Sequence, residues 1–291
     1  MFKDFIAWLD SYISREEPSA VLKAMVGLMA FAGLLGTLFG NQAIRAGAFV
    51  TVIVFAALVM LLLLADRRSL SKAHEMHRTL LARYCDFVID HNSEPLVSFE
   101  SWGQKVYVHR NGDVREVLTL RAVALRTRVY FIRLKAGSRW DQPERYRRDV
   151  RVIARSLTIN GATGPRWNVT SSWVSTQKMN SILHLHHSIK RGEEIFFEVI
   201  RIWPAKCLPL VKGEAEEFSF CTTRLLEIQH VDYSVVLPEG LDATYELIGA
   251  AEPDVQLSAD TGCDHEGRRV FTWRADKVPT LTTVGIRLEL K

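Results

Sequence analysis

The residues best placed to do chemistry in this chain are arginines set into strand-like sequence. In residues 126–135, RTRVYFIRLK, alternation puts Arg126, Arg128 and Tyr130 on one face and Arg133 on the other with Val129 and Phe131. A guanidinium on an apolar face requires an anion or a carboxylate partner. Its planar fork suits phosphate oxygens, and a neighbouring aromatic ring can stack on a base. Arg121, pointing with Val117 and Val123, has the same need. Arg121, Arg126, Arg128, Tyr130 and Arg133 are therefore the candidate ligand-binding set, with solvated or salt-bridged arginines at strand ends as the plainer alternative.

His184, His186 and His187 form the one histidine cluster, and in a strand His184 and His186 point the same way. No carboxylate or cysteine stands at a fixed spacing to complete a ligand set, so no metal site is expected. Cys85, Cys207, Cys221 and Cys263 fall in no CxxC pattern and read as small, reduced side chains. GxGxxG, GxxxxGK[ST], HExxH and GxSxG are all absent. The expectation is a protein that is not an enzyme and carries no cofactor.

The elements that must position these residues change character along the chain. Residues 1–18 contain a short amphipathic stretch, with Phe2, Phe5, Ile6, Leu9 and Ile13 on one helical face. Between Arg45 and Asp66 lie twenty uncharged residues, long enough at about 1.5 Å per residue to cross a hydrocarbon core of roughly 30 Å. Residues 20–40 form a similar run, and the short link 41–45 makes 19–66 an expected transmembrane helical hairpin. Arg67, Arg68, Lys72, Arg78 and Arg83 follow it and Lys3, Arg15 and Lys23 precede or open it, so both termini are expected in the cytoplasm of a multi-pass inner-membrane protein. Ala32, Gly33, Gly36 and Gly40 form a small-residue stripe for helix packing, either within the hairpin or between copies in a homo-oligomer.

Residues 67–92 keep a helical period, with Leu70, His77, Leu80, Leu81 and Tyr84 on one stripe, and predict a juxtamembrane stalk. From about Val97 the period becomes two, and about a dozen short strands separated by turns such as Asn111-Gly112-Asp113 and Glu239-Gly240 imply an all-β region. Its length favours two packed β-sandwich units, 93–210 and 211–291, with one enlarged β-barrel as the alternative. Residues 141–148 are the only helical candidate there.

The net charge of +4 hides a polarity. Residues 110–166 hold fourteen Lys and Arg against five Asp and Glu, whereas 205–265 hold three against twelve. Such a separation fits attraction between the halves, contact with anionic lipid headgroups, or a pocket for a phosphorylated ligand.

This order of elements, an N-terminal helix, a membrane hairpin, a stalk and a β-rich domain, resembles the two-transmembrane, β-strand-rich membrane effectors of bacterial anti-phage (CBASS-type) nucleotide-signalling systems. The resemblance implies a cytosolic β domain that senses a cyclic nucleotide and membrane helices that oligomerise to disrupt the inner membrane. The partners expected are the lipid bilayer, a cyclic nucleotide or other anionic ligand, and further copies of the chain, but no nucleic-acid polymer. A membrane-tethered β-sandwich module that docks a protein partner, with the hairpin acting only as an anchor, is the competing expectation.

Overall fold

The computed structural model describes residues 95–158, 161–223, 228–249 and 256–291, with helical positions scattered between Ile53 and Val88. The chain divides into two compact units, Met1–Arg78 and Thr79–Lys291. Among its described residues the second carries thirteen strands: β1 (Val97–Val108), β2 (Val114–Ala124), β3 (Arg128–Gly137), β4 (Arg151–Leu157), β5 (Thr163–Trp173), β6 (Lys178–Lys190), β7 (Glu194–Trp203), β8 (Glu216–Cys221), β9 (Ile228–Val236), β10 (Ala243–Ile248), β11 (Gln256–Cys263), β12 (Arg269–Val278) and β13 (Thr283–Leu290). Two single-turn helices, α1 (Glu144–Arg148) and α2 (Leu208–Val211), interrupt them.

Strict alternation makes these strands. In β7 Ile195, Phe197, Val199, Arg201 and Trp203 turn inward, and in β2 Val114, Glu116, Leu118, Leu120 and Ala122 do the same. Both strands therefore present an apolar face interrupted by a single charge. Ten strands form one open sheet in the order β11-β12-β9-β1-β2-β7-β4-β5-β6-β3, and a second sheet has the order β10-β13-β8. The core lies between them, where Phe271 and Trp273 of β12 meet Phe218 of β8 and Val284, Ile286 and Leu288 of β13. Each such side chain contributes about 1.5–3 kcal/mol by leaving water. Trp273 also donates from Nε1 to the Phe218 carbonyl at 3.1 Å, which ties the large sheet to the small one.

The expected fold class is corrected in two respects. Strands from both sides of residue 210 join one sheet, because β9 lies parallel to β1 with Gln104 opposite Tyr233. Two separate sandwich units are thus replaced by a ten-stranded sheet packed against a three-stranded one, and the open order rules out the enlarged barrel. A parallel pair joins residues more than a hundred positions apart, and local periodicity carries no trace of such a partner.

The second correction concerns the membrane. Among the described residues no helix is long and apolar enough to cross a bilayer, so the transmembrane hairpin over 19–66 and the multi-pass inner-membrane placement are not supported. A span needs about twenty continuous helical residues, a property of built structure that a hydropathy window only anticipates. Most of 19–66, the amphipathic stretch 1–18, and Ala32, Gly33, Gly36 and Gly40 lie outside the described residues. Where the stalk is described, between Arg67 and Val88, its positions are helical. Leu70, Leu80 and Tyr84 are exposed there, while Cys85 is buried against Ile182 and Phe131.

Candidate functional site

The two inward charges meet. Register places Glu116 of β2 directly across from Arg201 of β7, and Arg201 Nη1 donates to Glu116 Oε2 at 3.1 Å with side-chain exposures of 3% and 0%. Lys206 Nζ donates to the other carboxylate oxygen, Oε1. One buried carboxylate therefore faces two cations. Burial alone would push the Glu116 carboxyl up, but Lys206 and Arg201 outweigh it and hold the group below the ordinary carboxylate range.

Lys206 reaches the cluster because the segment after β7 is pinned on both sides. Asp113 Oδ1 accepts the Ala205 N–H at 2.7 Å, the Gly112 carbonyl accepts the Cys207 N–H at 2.9 Å, and Trp140 Nε1 donates to the Lys206 carbonyl at 3.0 Å. Ala205 is held at φ 52, a left-handed conformation that costs a side-chain-bearing residue about 1–2 kcal/mol. Gly112, at φ 80, is required by contact as well: a Cβ there would lie 2.6 Å from Leu208 Cα. The Asn-Gly-Asp turn legible in the sequence thus serves to place a lysine.

Arg201 and Lys206 line a cleft of about 1100 Å³ in this unit. Its floor is the adjacent row of the large sheet, where Trp102 Nε1 donates to Gln104 Oε1 at 3.1 Å and Gln104 Nε2 donates to the Tyr233 hydroxyl at 3.2 Å. Tyr233 stacks on Trp273 with ring centroids 5.2 Å apart, and burial keeps its phenol protonated. Phe218 and Phe220 of β8 form the opposite wall. Two donors are unsatisfied among the described residues: Arg201 is 2% exposed, and its Nε and Nη2 have no hydrogen-bond partner there. A buried guanidinium that spends one of its three nitrogens on Glu116 leaves the other two without an acceptor.

Glu216, also in the lining, is a second buried carboxyl. Burial pushes it up to about 7, against the pull of Lys206 and Arg139. Because its folded value lies above its unfolded one, the folded chain binds the extra proton between about pH 4.5 and 7. Stability from this group is full below that window and is lost as pH rises through it. Glu216→Gln should therefore gain about 3 kcal/mol relative to the native chain as pH goes from 4.5 to 8. Urea denaturation at a series of pH values measures this, and a pH-independent difference would show that Glu216 titrates as an ordinary surface carboxylate.

The arginines singled out by sequence are dispersed. Arg121 lies on the other face, half exposed, between Glu100 at 2.9 Å and Glu194 at 2.8 Å, whose carboxylates raise its pKa. Arg128 is exposed, Tyr130 is 55% exposed and Arg126 is half-buried, and none of the three lines the cleft. Arg133 does line it. Among the histidines, His184 Nε2 bonds the Thr170 hydroxyl at 2.9 Å and His186 Nε2 donates to the Arg166 carbonyl at 2.8 Å. Among the described residues no group of three His, Cys, Asp or Glu is placed to hold a metal ion. Sequence reading missed Glu116 and Arg201, although each breaks an otherwise apolar alternation in the way Arg133 does.

Fold and cleft together define an all-β module, one sheet packed on another, with a buried charge cluster opening into a cavity. No protein-family model and no curated protein matches the chain. Among solved structures it is similar to a candidate protease from Parabacteroides distasonis, at 10% identity and a TM-score of 0.43, over 67% of this chain and 40% of that one. It is also similar to an M1 zinc metallopeptidase from Deinococcus radiodurans, at 18% identity and a TM-score of 0.41, over 67% of this chain and 42% of that one. The chain spans less than half the length of either, and likeness at this level neither assigns an activity to it nor removes one.

Proposed function

We infer that the β unit is a binding module whose cleft receives a ligand with an anionic group, recognised by Arg201. The observation that supports this is the buried guanidinium of Arg201, in the lining of a cleft of about 1100 Å³, with Nε and Nη2 unpartnered among the described residues. Leaving such donors without an acceptor costs about 1–3 kcal/mol, which an entering carboxylate or phosphate recovers. Lys135 and Lys178, exposed in the same lining, add positive potential that draws an anion in.

The test is a thermal-shift and calorimetric panel on the full chain with cyclic dinucleotides, nucleoside monophosphates, dicarboxylates and acidic peptides. At least one class should raise Tm. Arg201→Met should weaken that binding at least ~100-fold, the loss of a charged bidentate contact. Arg201→Lys keeps a cation beside Glu116 and serves as the folded control. An absence of binding throughout the panel, or binding indifferent to Arg201, would overturn the reading.

A further inference from the structure

The shape of the cleft points to a particular class of occupant. Its lining runs through consecutive residues, Ile132 to Arg139 on one side and Glu216 to Cys221 on the other. A wall made by a sheet face shows every second residue, so a consecutive run means that the strand presents its edge. The sheet orders agree: β3 ends the ten-stranded sheet and β8 ends the three-stranded one. Among the described residues β8 is paired with β13 alone, from Thr283 opposite Cys221 to Leu288 opposite Glu216. The other edge of β8 therefore offers a ladder of N–H and C=O groups to the cleft.

We propose that the cleft takes an extended acidic peptide, which adds as a strand along the free edge of β8 and places a carboxylate on Arg201. This rests on the anionic-ligand reading above and names the ligand class. A strand as long as β8, six residues at about 3.4 Å each, spans roughly 20 Å. The volume of about 1100 Å³ exceeds the roughly 300–1000 Å³ typical of small-molecule pockets. Main-chain pairing along an edge supplies affinity, and alternate side-chain positions supply specificity. The charges select the acidic class. Glu217 of β8 is already matched by Arg139 at 2.6 Å, whereas Arg201 brings two unmatched donors and Lys135 and Lys178 stand exposed. Phe218, Phe220 and Trp102 provide apolar surface for the residues between the acidic ones.

The experiment uses the full chain and a library of blocked, fluorescent hexapeptides in which Glu alternates with apolar residues, read by anisotropy. The best binder is then remade with Gln for Glu, and in two further versions N-methylated at its odd or its even amides. A cyclic dinucleotide is titrated in parallel. The Gln version should bind at least tenfold more weakly, and Arg201→Lys should erase that preference. Only one of the two N-methyl sets should lose binding, by at least tenfold, because alternate amides of an added strand face its partner. Equal tolerance of both N-methyl sets overturns strand addition. Arg201-dependent binding of the dinucleotide with no binding by any peptide overturns the peptide class and leaves the anionic-ligand reading standing. Failure of every probe overturns both.

Discussion

Replacing Glu116 with Gln should lower the unfolding free energy by about 3–5 kcal/mol, the cost of stranding buried charge when its partner is removed. The size follows from the geometry. Glu116 is fully buried, and both Arg201 and Lys206 end on its two oxygens. The amide keeps the shape but withdraws the charge, so two cations are left facing one another. For a domain whose total stability is about 5–15 kcal/mol, this is a large fraction. Urea denaturation of the single variant and of Glu116→Gln combined with Arg201→Met measures the coupling. The double variant should recover part of the loss, because one stranded cation leaves with its partner. A loss under about 1 kcal/mol in the single variant would mean that the cluster is hydrated and behaves as a surface pair.

Trp273→Ala should cost a comparable 3–5 kcal/mol, the usual range for emptying a buried tryptophan site. Trp273 is fully buried at the junction of the two sheets, stacked on Tyr233 and bonded to the Phe218 carbonyl. Trp273→Phe keeps a six-membered ring near Tyr233 but removes the N–H together with part of the indole's volume, so a smaller loss of about 2–3 kcal/mol is expected. The difference between the two variants measures what that ring contributes. Because Tyr233 accepts from Gln104 on the cleft floor and Phe218 lies in β8, Trp273→Ala should also weaken any ligand of the cleft with Arg201 untouched. Denaturant melts and ligand titration of the same preparations check both halves. Unchanged binding in a folded Trp273→Ala chain would mean that the floor is held without it.

Much of the strand inventory could be read from period-two sequence: β2, β7, β12 and β13 fall close to where alternation places them, and 141–148 contains α1. β11, Gln256–Cys263, carries little signal in the sequence because it is a sheet-edge strand whose residues are mostly exposed. Selection for an apolar face is weak there, and alternation fades with it. β8 ends at Cys221 and the next strand in the chain, β9, starts at Ile228. Those two strands belong to different sheets, which the sequence leaves unmarked.

The sequence by itself determined which residues turn together on each strand, and so marked a charge on an apolar face as the feature needing a partner. Only the tertiary structure decided which faces were buried. Arg121 and Arg201 are both arginines in alternating strands. The face carrying Arg121 looks outward, where Glu100 and Glu194 pair it in water, whereas the face carrying Arg201 closes on the second sheet. Burial is a property of pairing between distant strands, β9 on β1 and β12 against β8 and β13. The same residue type is ordinary on one side of a sheet and chemically demanding on the other for that reason alone.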